Sequence, residues 1–244
     1  MSEAPTPLIG DISDRLITAI ATGEFLPGSR LPAERELAVL LGVGRTSVRA
    51  ALVVLHEHGL IETLRGRGGG SFVRTQWTAE SQAAVLRTLR ARWEEICDRL
   101  EAMRRLHGAV ARAAAERADE SDALRLAALL EAYRSASSGR NRQRADGALH
   151  LAIADAAHND TLKAVLLDLE REISIAAPTH LYGPPGSAPE FEERALAEHA
   201  VLVEAIRAGR ADEAEAVASE HGRIDLELLQ AARRRAERGV PVPA

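Results

Sequence analysis

Glycine punctuates residues 1–75 so closely that no long helix can form there. Gly23 stops an apolar stripe of Ile12, Leu16 and Ile20, and Gly42-Val43-Gly44 interrupts the next helical stretch. The spacing therefore predicts short helices over 12–22, from Pro32-Ala33-Glu34-Arg35 onward, and over 45–58. The second is expected to bury Leu37, Leu40 and Leu41, and the third Val48, Leu52 and Leu55. Phe25-Leu26-Pro27-Gly28 reads as a tight turn. After Gly59 come two β-like runs, 60–64 and 71–74, joined by Arg65-Gly66-Arg67-Gly68-Gly69-Gly70, whose glycines permit a sharp reversal. Two helices, a glycine turn, a third helix and a hairpin make the layout of a winged helix-turn-helix.

Beyond Trp77 no strand pattern is found. Ile96, Leu100, Met103, His107, Val110 and Ala114 recur every three or four residues, as on one face of a bundle helix. Further helices are expected over 121–137, 144–157, 162–176, 190–208 and 212–236. Ser137-Ser138-Gly139, His158-Asn159-Asp160, the proline-rich run from Pro178 to Pro189, and Gly209 separate them. The expected fold is thus mainly α: a winged helix over residues 1–76, an all-α six-helix bundle over 77–238, and a tail over 239–244. Aromatics are only 3% of the chain, so the core must be built from Leu, Ala, Val and Ile. A single cysteine, Cys97, rules out an internal disulfide and fits a reducing compartment. The N-terminus lacks a signal pattern and no apolar run approaches about 18 residues, so a cytoplasmic protein with no membrane partner is expected.

The net charge of −5 argues against a chain that simply coats nucleic acid. Within 40–75, however, Arg45, Arg49, Arg65, Arg67 and Arg74 face only Glu57 and Glu62. In a helix-turn-helix the second helix enters the major groove, and its first side chains reach the base edges. Here those are Arg45, Thr46, Ser47 and Arg49. Arginine can fork onto guanine, while the hydroxyls suit phosphates. Arg35 on the preceding helix can reach the same groove, and Arg65 and Arg67 at the wing tip can hold the minor groove or the backbone.

The runs Leu31-Pro32-Ala33-Glu34-Arg35-Glu36-Leu37-Ala38, Leu41-Gly42-Val43-Gly44-Arg45-Thr46-Ser47-Val48-Arg49-Ala50-Ala51-Leu52 and Gly59-Leu60-Ile61 resemble the GntR family of bacterial transcription regulators. The resemblance covers residues 8–74. It implies a homodimer on a short palindromic double-stranded DNA operator, with Arg35, Arg45, Arg49 and the wing residue Gly66 as contacts. Ala33 and Gly44 stand where the family usually has a hydroxyl-bearing helix cap, and Ala50 replaces a common Glu. Losing the first cap should cost on the order of 1 kcal/mol.

In the second part, Asp146 and His150 lie four apart and share a helix face. His199 sits in the stripe Leu196, His199, Val203, Ile206, and His221 in the stripe Ala214, Val217, His221, Ile224, Leu228. Three helices thus aim polar groups inward, where unpaired ones would be costly. Three imidazoles and a carboxylate suit Zn²⁺, Ni²⁺, Mn²⁺ or Fe²⁺, with zinc the first choice. Each histidine alone also fits a hydrogen-bonded core position. Asp146-Gly-Ala-Leu-His150, Asn159, Glu198-His199, the run 205–212 and His221 resemble the FCD ligand-binding domain of the FadR subfamily of GntR regulators. That resemblance implies Asp146, His150, His199 and His221 as metal ligands and a small carboxylate effector, a sugar acid or hydroxy acid, at the metal. Relatives often carry Arg-x-x-Leu-Glu on the first bundle helix, where this chain reads Met103-Arg104-Arg105-Leu106-His107. An arginine that could clamp the effector carboxylate is thus absent from the inward stripe, and His107 takes an inward position, either as a further contact to metal or effector or as a core histidine satisfied by a neighbour. The expected effector-binding residues are His107, Arg104 and Asn159. His56, His58, His158 and His180 fit no stripe and are expected at the surface or in loops.

The leading expectation is a DNA-binding repressor that releases its operator on binding a carboxylate. Two alternatives use the same donors: a regulator for which the metal itself is the signal, and an enzyme whose metal activates water. Against the enzyme, no nucleophile motif and no independent general base stand on a matching stripe.

Overall fold

The computed structural model describes residues 7–175 and 189–238. The N-terminal segment begins with α1 (Pro7–Thr22), α2 (Glu34–Leu41) and α3 (Arg45–Glu57), followed by β1 (Ile61–Leu64) and β2 (Gly70–Val73). The stripe Ile12, Leu16 and Ile20 is buried, as are Leu37 and Leu41 of α2 and Val48, Leu52 and Leu55 of α3. Leu40 departs from expectation. It lies on the open side of α2 beside Val39, which is 78% exposed, because eight residues of helix have room for only a narrow inward face. Gly42 ends α2 in the left-handed conformation at φ 67°, and the axes of α2 and α3 meet at 108°. This is the crossing range of a helix-turn-helix. Ala33 offers no side-chain cap, but Glu36 Oε2 accepts from the Ala33 backbone N–H at 2.9 Å, so half of a capping box survives.

β1 and β2 pair antiparallel, with Ile61 opposite Val73 and Leu64 opposite Gly70. Leu31 N–H donates to Ser71 O and Val73 N–H to Ser29 O, both at 2.9 Å, so residues 29–31 line the outer edge of β2. An added Cβ on Gly69 would meet Leu64 O at 2.4 Å, which is why the wing turn needs glycine there.

The chain divides into two compact units, and the division differs from the expected boundary at 76/77. The first unit takes the described residues up to Trp93, with Ser174, Ile175 and those from Leu229 onward. The reason is apolar. α4 (Ala79–Arg117) begins well before the expected first bundle helix, and its Val85 and Leu89 join the winged-helix core together with Ile175 and Ala236. Polar contacts follow the same grouping: Thr88 Oγ1 donates to Asp14 Oδ1 at 3.0 Å, and Ile175 N–H donates to Glu24 Oε1 at 2.9 Å.

The second unit combines the rest of α4 with α5 (Glu120–Ser135), α6 (Arg140–Ala156), α7 (Asp160–Ile173), α8 (Pro189–Arg207), α9 (Ala211–His221) and the first turns of α10 (Arg223–Glu237). The expected helix over 212–236 is therefore two, α9 and α10. They meet at Gly222, where an added Cβ would lie 3.1 Å from the Cα of Arg104. The proline-rich run is only partly visible, since residues 176–188, His180 among them, lie outside the described residues, as does the expected tail. Among the described residues no single helix is long and apolar enough to cross a membrane. The bent pair α2 and α3 reaches the length only jointly, and its apolar faces are part of the winged-helix core.

Candidate functional site

Asp146 and His150 come from α6, His199 from α8, and His221 is the last residue of α9. All four side chains are buried, Asp146 and His199 completely, and one donor atom from each lies within 4.8 Å of the others. The four-residue spacing on α6 places its two donors one turn apart on the same face. His150 Nε2 and His199 Nε2 face each other at 3.2 Å, and Asp146 Oδ1 lies 3.4 Å from His199 Nε2 and 3.9 Å from His150 Nε2. The three rings pack with centroids 4.3–5.3 Å apart. Three imidazoles and a carboxylate turned to one point, out of water, form the donor set of a divalent transition metal. The residues present fit such an ion.

A surrounding layer sets the orientation of these donors. His221 Nδ1 lies 2.7 Å from Glu198 Oε2, an arrangement that keeps the ring's Nε2 for the cluster. In the sequence Glu198 is no more than the neighbour of His199. On a helix, adjacent residues point about 100° apart, so this spacing gives no hint that Glu198 serves a histidine of another helix. On the far side, the ring of the buried Tyr133 meets His199 edge-on at 4.8 Å, and the Arg142 guanidinium sits 5.5 Å from the Tyr133 ring centre. Glu192, itself buried, accepts from Ser138 Oγ at 2.7 Å and from Gly139 N–H at 3.1 Å, and so holds the α5–α6 turn.

The three residues expected to touch an effector have different surroundings. His107 is next to the cluster, its ring 5.1 Å from that of His150 at 72°. Its Nε2 lies 3.6 Å from Oε1 of Glu170, a buried carboxylate on α7 one turn after Leu166. Nothing in the sequence pattern singled out Glu170, although its place four residues after the apolar Leu166 puts it on the same helix face. Arg104 directs Nη1 toward the carbonyl of Ser219 at 3.4 Å, along α9. Asn159 precedes α7 and accepts from Leu162 N–H at 3.1 Å, the position of a helix cap. His158 lies at the surface as expected, with φ 45°, and pairs with Asp122 at 2.7 Å.

In the winged unit, Arg35, Arg45, Thr46 and Arg49 are exposed along α2 and the start of α3, Ser47 is half-buried, and Arg65, Gly66 and Arg67 are exposed at the wing turn. Arg49 is not isolated. Its Nη2 donates to Glu34 Oε2 at 2.7 Å and its Nε to Oε1 at 3.0 Å. The hydrogen bond from Arg49 holds the Glu34 carboxyl below its usual pKa against the opposing effect of burial, and the charges of Arg49 and Arg45 add to the lowering. The same pair raises the Arg49 guanidinium. Arg49 and Glu34 thus form a bidentate pair between α3 and α2 on the exposed side of the helix-turn-helix.

Comparison with known proteins matches two successive stretches of the chain to two families. Residues 8–72 match the bacterial regulatory proteins of the gntR family, and residues 78–223 match the FCD domain. The chain is 34% identical over 216 residues to a Mycobacterium gastri protein provisionally named HTH-type transcriptional regulator RmpR, covering 88% of this chain and 77% of that one. It is 33% identical over 216 residues to an Escherichia coli protein provisionally named the L-lactate dehydrogenase operon regulatory protein, covering 85% and 81%. It is 32% identical over 212 residues to the HTH-type transcriptional regulator LutR of Bacillus subtilis, covering 83% and 92%.

Proposed function

From the premise that the chain belongs to the GntR family, a DNA-binding transcriptional regulator with an FCD effector domain and not an enzyme, we propose that it is a cytoplasmic repressor released by a small carboxylate bound at a metal. Asp146, His150, His199 and His221 hold a divalent ion, zinc first, with nickel, manganese and iron meeting the same donor set. The ion supplies a positive centre that receives a carboxylate oxygen. The observation that carries this reading is the convergence of four buried donors from α6, α8 and α9, one of them oriented by Glu198. His107 lies against His150 and is the effector contact beside the metal. Arg104 and Asn159 belong to the effector shell as supports, one along α9 and one at the start of α7.

On the DNA side, Arg45, Thr46, Ser47 and Arg49 enter the major groove, Arg35 supports them, and Arg65, Gly66 and Arg67 follow the backbone or minor groove. A palindromic operator requires a two-fold protein, so the chain acts as a homodimer. Light scattering that finds only a 26.2 kDa species at micromolar concentration would contradict this.

The test is an operator titration by fluorescence anisotropy on zinc-loaded protein, with and without L-lactate, alongside elemental analysis of protein purified without chelator or nickel resin. Lactate is the first probe because one relative is named for the L-lactate dehydrogenase operon. Release by lactate only when metal is present supports the reading. Release by chelation alone makes the metal the signal, and full-affinity lactate binding by metal-free protein leaves the histidines as structural.

A further inference from the structure

A third arginine reaches the tip end of the wing from outside the hairpin. Arg30 pairs with Phe72 along the outer edge of β2, and the backbone bonds of Ser29 and Leu31 to β2 hold it in place on both sides. Its side chain runs toward Gly70, which faces Leu64 in the last ladder pair before the wing turn. An added Cβ on Gly70 would lie 2.6 Å from Arg30 Nε and 3.3 Å from its Cζ and Nη2. The guanidinium therefore occupies the space that a side chain at position 70 would fill. Gly70 also has φ 152°, a backbone conformation that glycine alone adopts readily. Arg30 is exposed and, among the described residues, makes no hydrogen bond or ion pair. A guanidinium carries five N–H donors and keeps its charge in proteins, so this group is placed by the fold yet open to an anion from outside.

We propose that Arg30 is a further DNA contact: laid over Gly70 at the same end of the hairpin as Arg65 and Arg67, it holds a backbone phosphate. The inference rests on the placement of the wing against DNA given above and extends it to a residue outside the hairpin. A wing that enters or follows a groove is bordered by backbone, and the arginine fork matches two phosphate oxygens. Resting on Gly70 before DNA arrives, the side chain has less freedom left to lose on binding.

Phosphate contacts do not depend on sequence, so the probe is a fluorescein-labelled duplex of random sequence, titrated by anisotropy at several salt concentrations. Arg30→Gln should flatten the slope of log affinity against log salt by about 0.9, the counterion released at one phosphate, at the melting temperature of wild type. Arg30→Lys keeps the charge and should keep the slope. A wild-type slope in Arg30→Gln overturns the contact and, if Arg67→Ala still flattens the line, leaves the wing on DNA. Equal flattening in Arg30→Gln and Arg30→Lys assigns the effect to packing on Gly70 rather than to charge, and also overturns it. If neither Arg30→Gln nor Arg67→Ala changes the slope, the wing does not meet the backbone, and its placement fails together with this inference.

Discussion

His221, at the last turn of α9, directs its Nδ1 to Oε2 of Glu198 on α8 at 2.7 Å, so a carboxylate outside the donor cluster fixes how one donor ring is turned. Orienting partners of this kind typically alter metal affinity 10–100-fold. Glu198→Ala should therefore weaken zinc binding by about that factor in competition with a metal indicator, though all four donors remain. Unchanged affinity would remove the orienting role.

Substituting a donor should have a larger effect. His199→Ala is expected to lose most bound metal and the rise in melting temperature that metal confers on wild type, because an ion bound only by the folded chain stabilises it. Operator binding should persist, since the core of the winged unit contains none of these donors. A variant that melts identically with and without zinc while wild type shifts upward is the expected pattern. An equal upward shift in both would exclude His199 as a ligand.

Gly108 tests how closely α9 approaches α4. An added Cβ there would lie 2.3 Å from Ser219 Oγ and 3.1 Å from the Glu215 carbonyl oxygen. Alanine gains about 1 kcal/mol of helix propensity over glycine. Overpacking costs about 1–3 kcal/mol, and although the serine hydroxyl can rotate away, the carbonyl cannot. Gly108→Ala should be destabilised by up to about 2 kcal/mol in urea unfolding. A rise in stability for the single variant would mean that the two helices separate freely.

Asp155 gives the second unit an acid-sensitive contact. Burial acts to raise its carboxyl pKa, but hydrogen bonds from Lys163 and Arg125 outweigh burial and hold it below the usual value. A folded-state pKa below the unfolded one contributes stability that is complete above the unfolded value and disappears as pH falls through the folded one. Asp155→Asn should thus be less stable than wild type at neutral pH, and the difference should shrink below about pH 5. Urea midpoints across that range check it. A gap that stays constant with pH would refute the linkage.

Arg49 and Arg67 should separate by kind of contact. Arg49→Ala is expected to weaken specific operator binding roughly ten- to hundredfold, because a guanidinium that can donate to a guanine edge is lost. Arg67→Ala should weaken all sequences more evenly and flatten the salt dependence. Wild-type operator affinity in the double variant Arg45→Ala with Arg49→Ala would defeat the placement of α3 in the groove.

Much of this molecule follows from local pattern. The stripe Ile12, Leu16, Ile20 and the break at Gly42 determine the winged helix, because helix periodicity and a left-handed cap are properties of a few adjacent residues. Asp146 and His150 could be paired by spacing alone, and His199 and His221 could be placed inward because each stands in an apolar stripe. Leu40 shows where periodicity stops being informative: on a helix of eight residues, one step in register decides between core and solvent.

Tertiary structure decided the rest. That Val85 and Leu89 of α4 belong to the winged-helix core could not be read from their own helix, since their partners are distant in sequence. The expected last helix divides at Gly222, a position packed closely against the backbone of Arg104, more than a hundred residues earlier. The same holds for Glu198 turning His221 and Glu170 facing His107. Sequence periodicity reports which face of a helix avoids water, a preference each helix carries by itself. Which acid meets which imidazole depends on how separate helices pack, and that is set by the sum of many contacts distant in the chain.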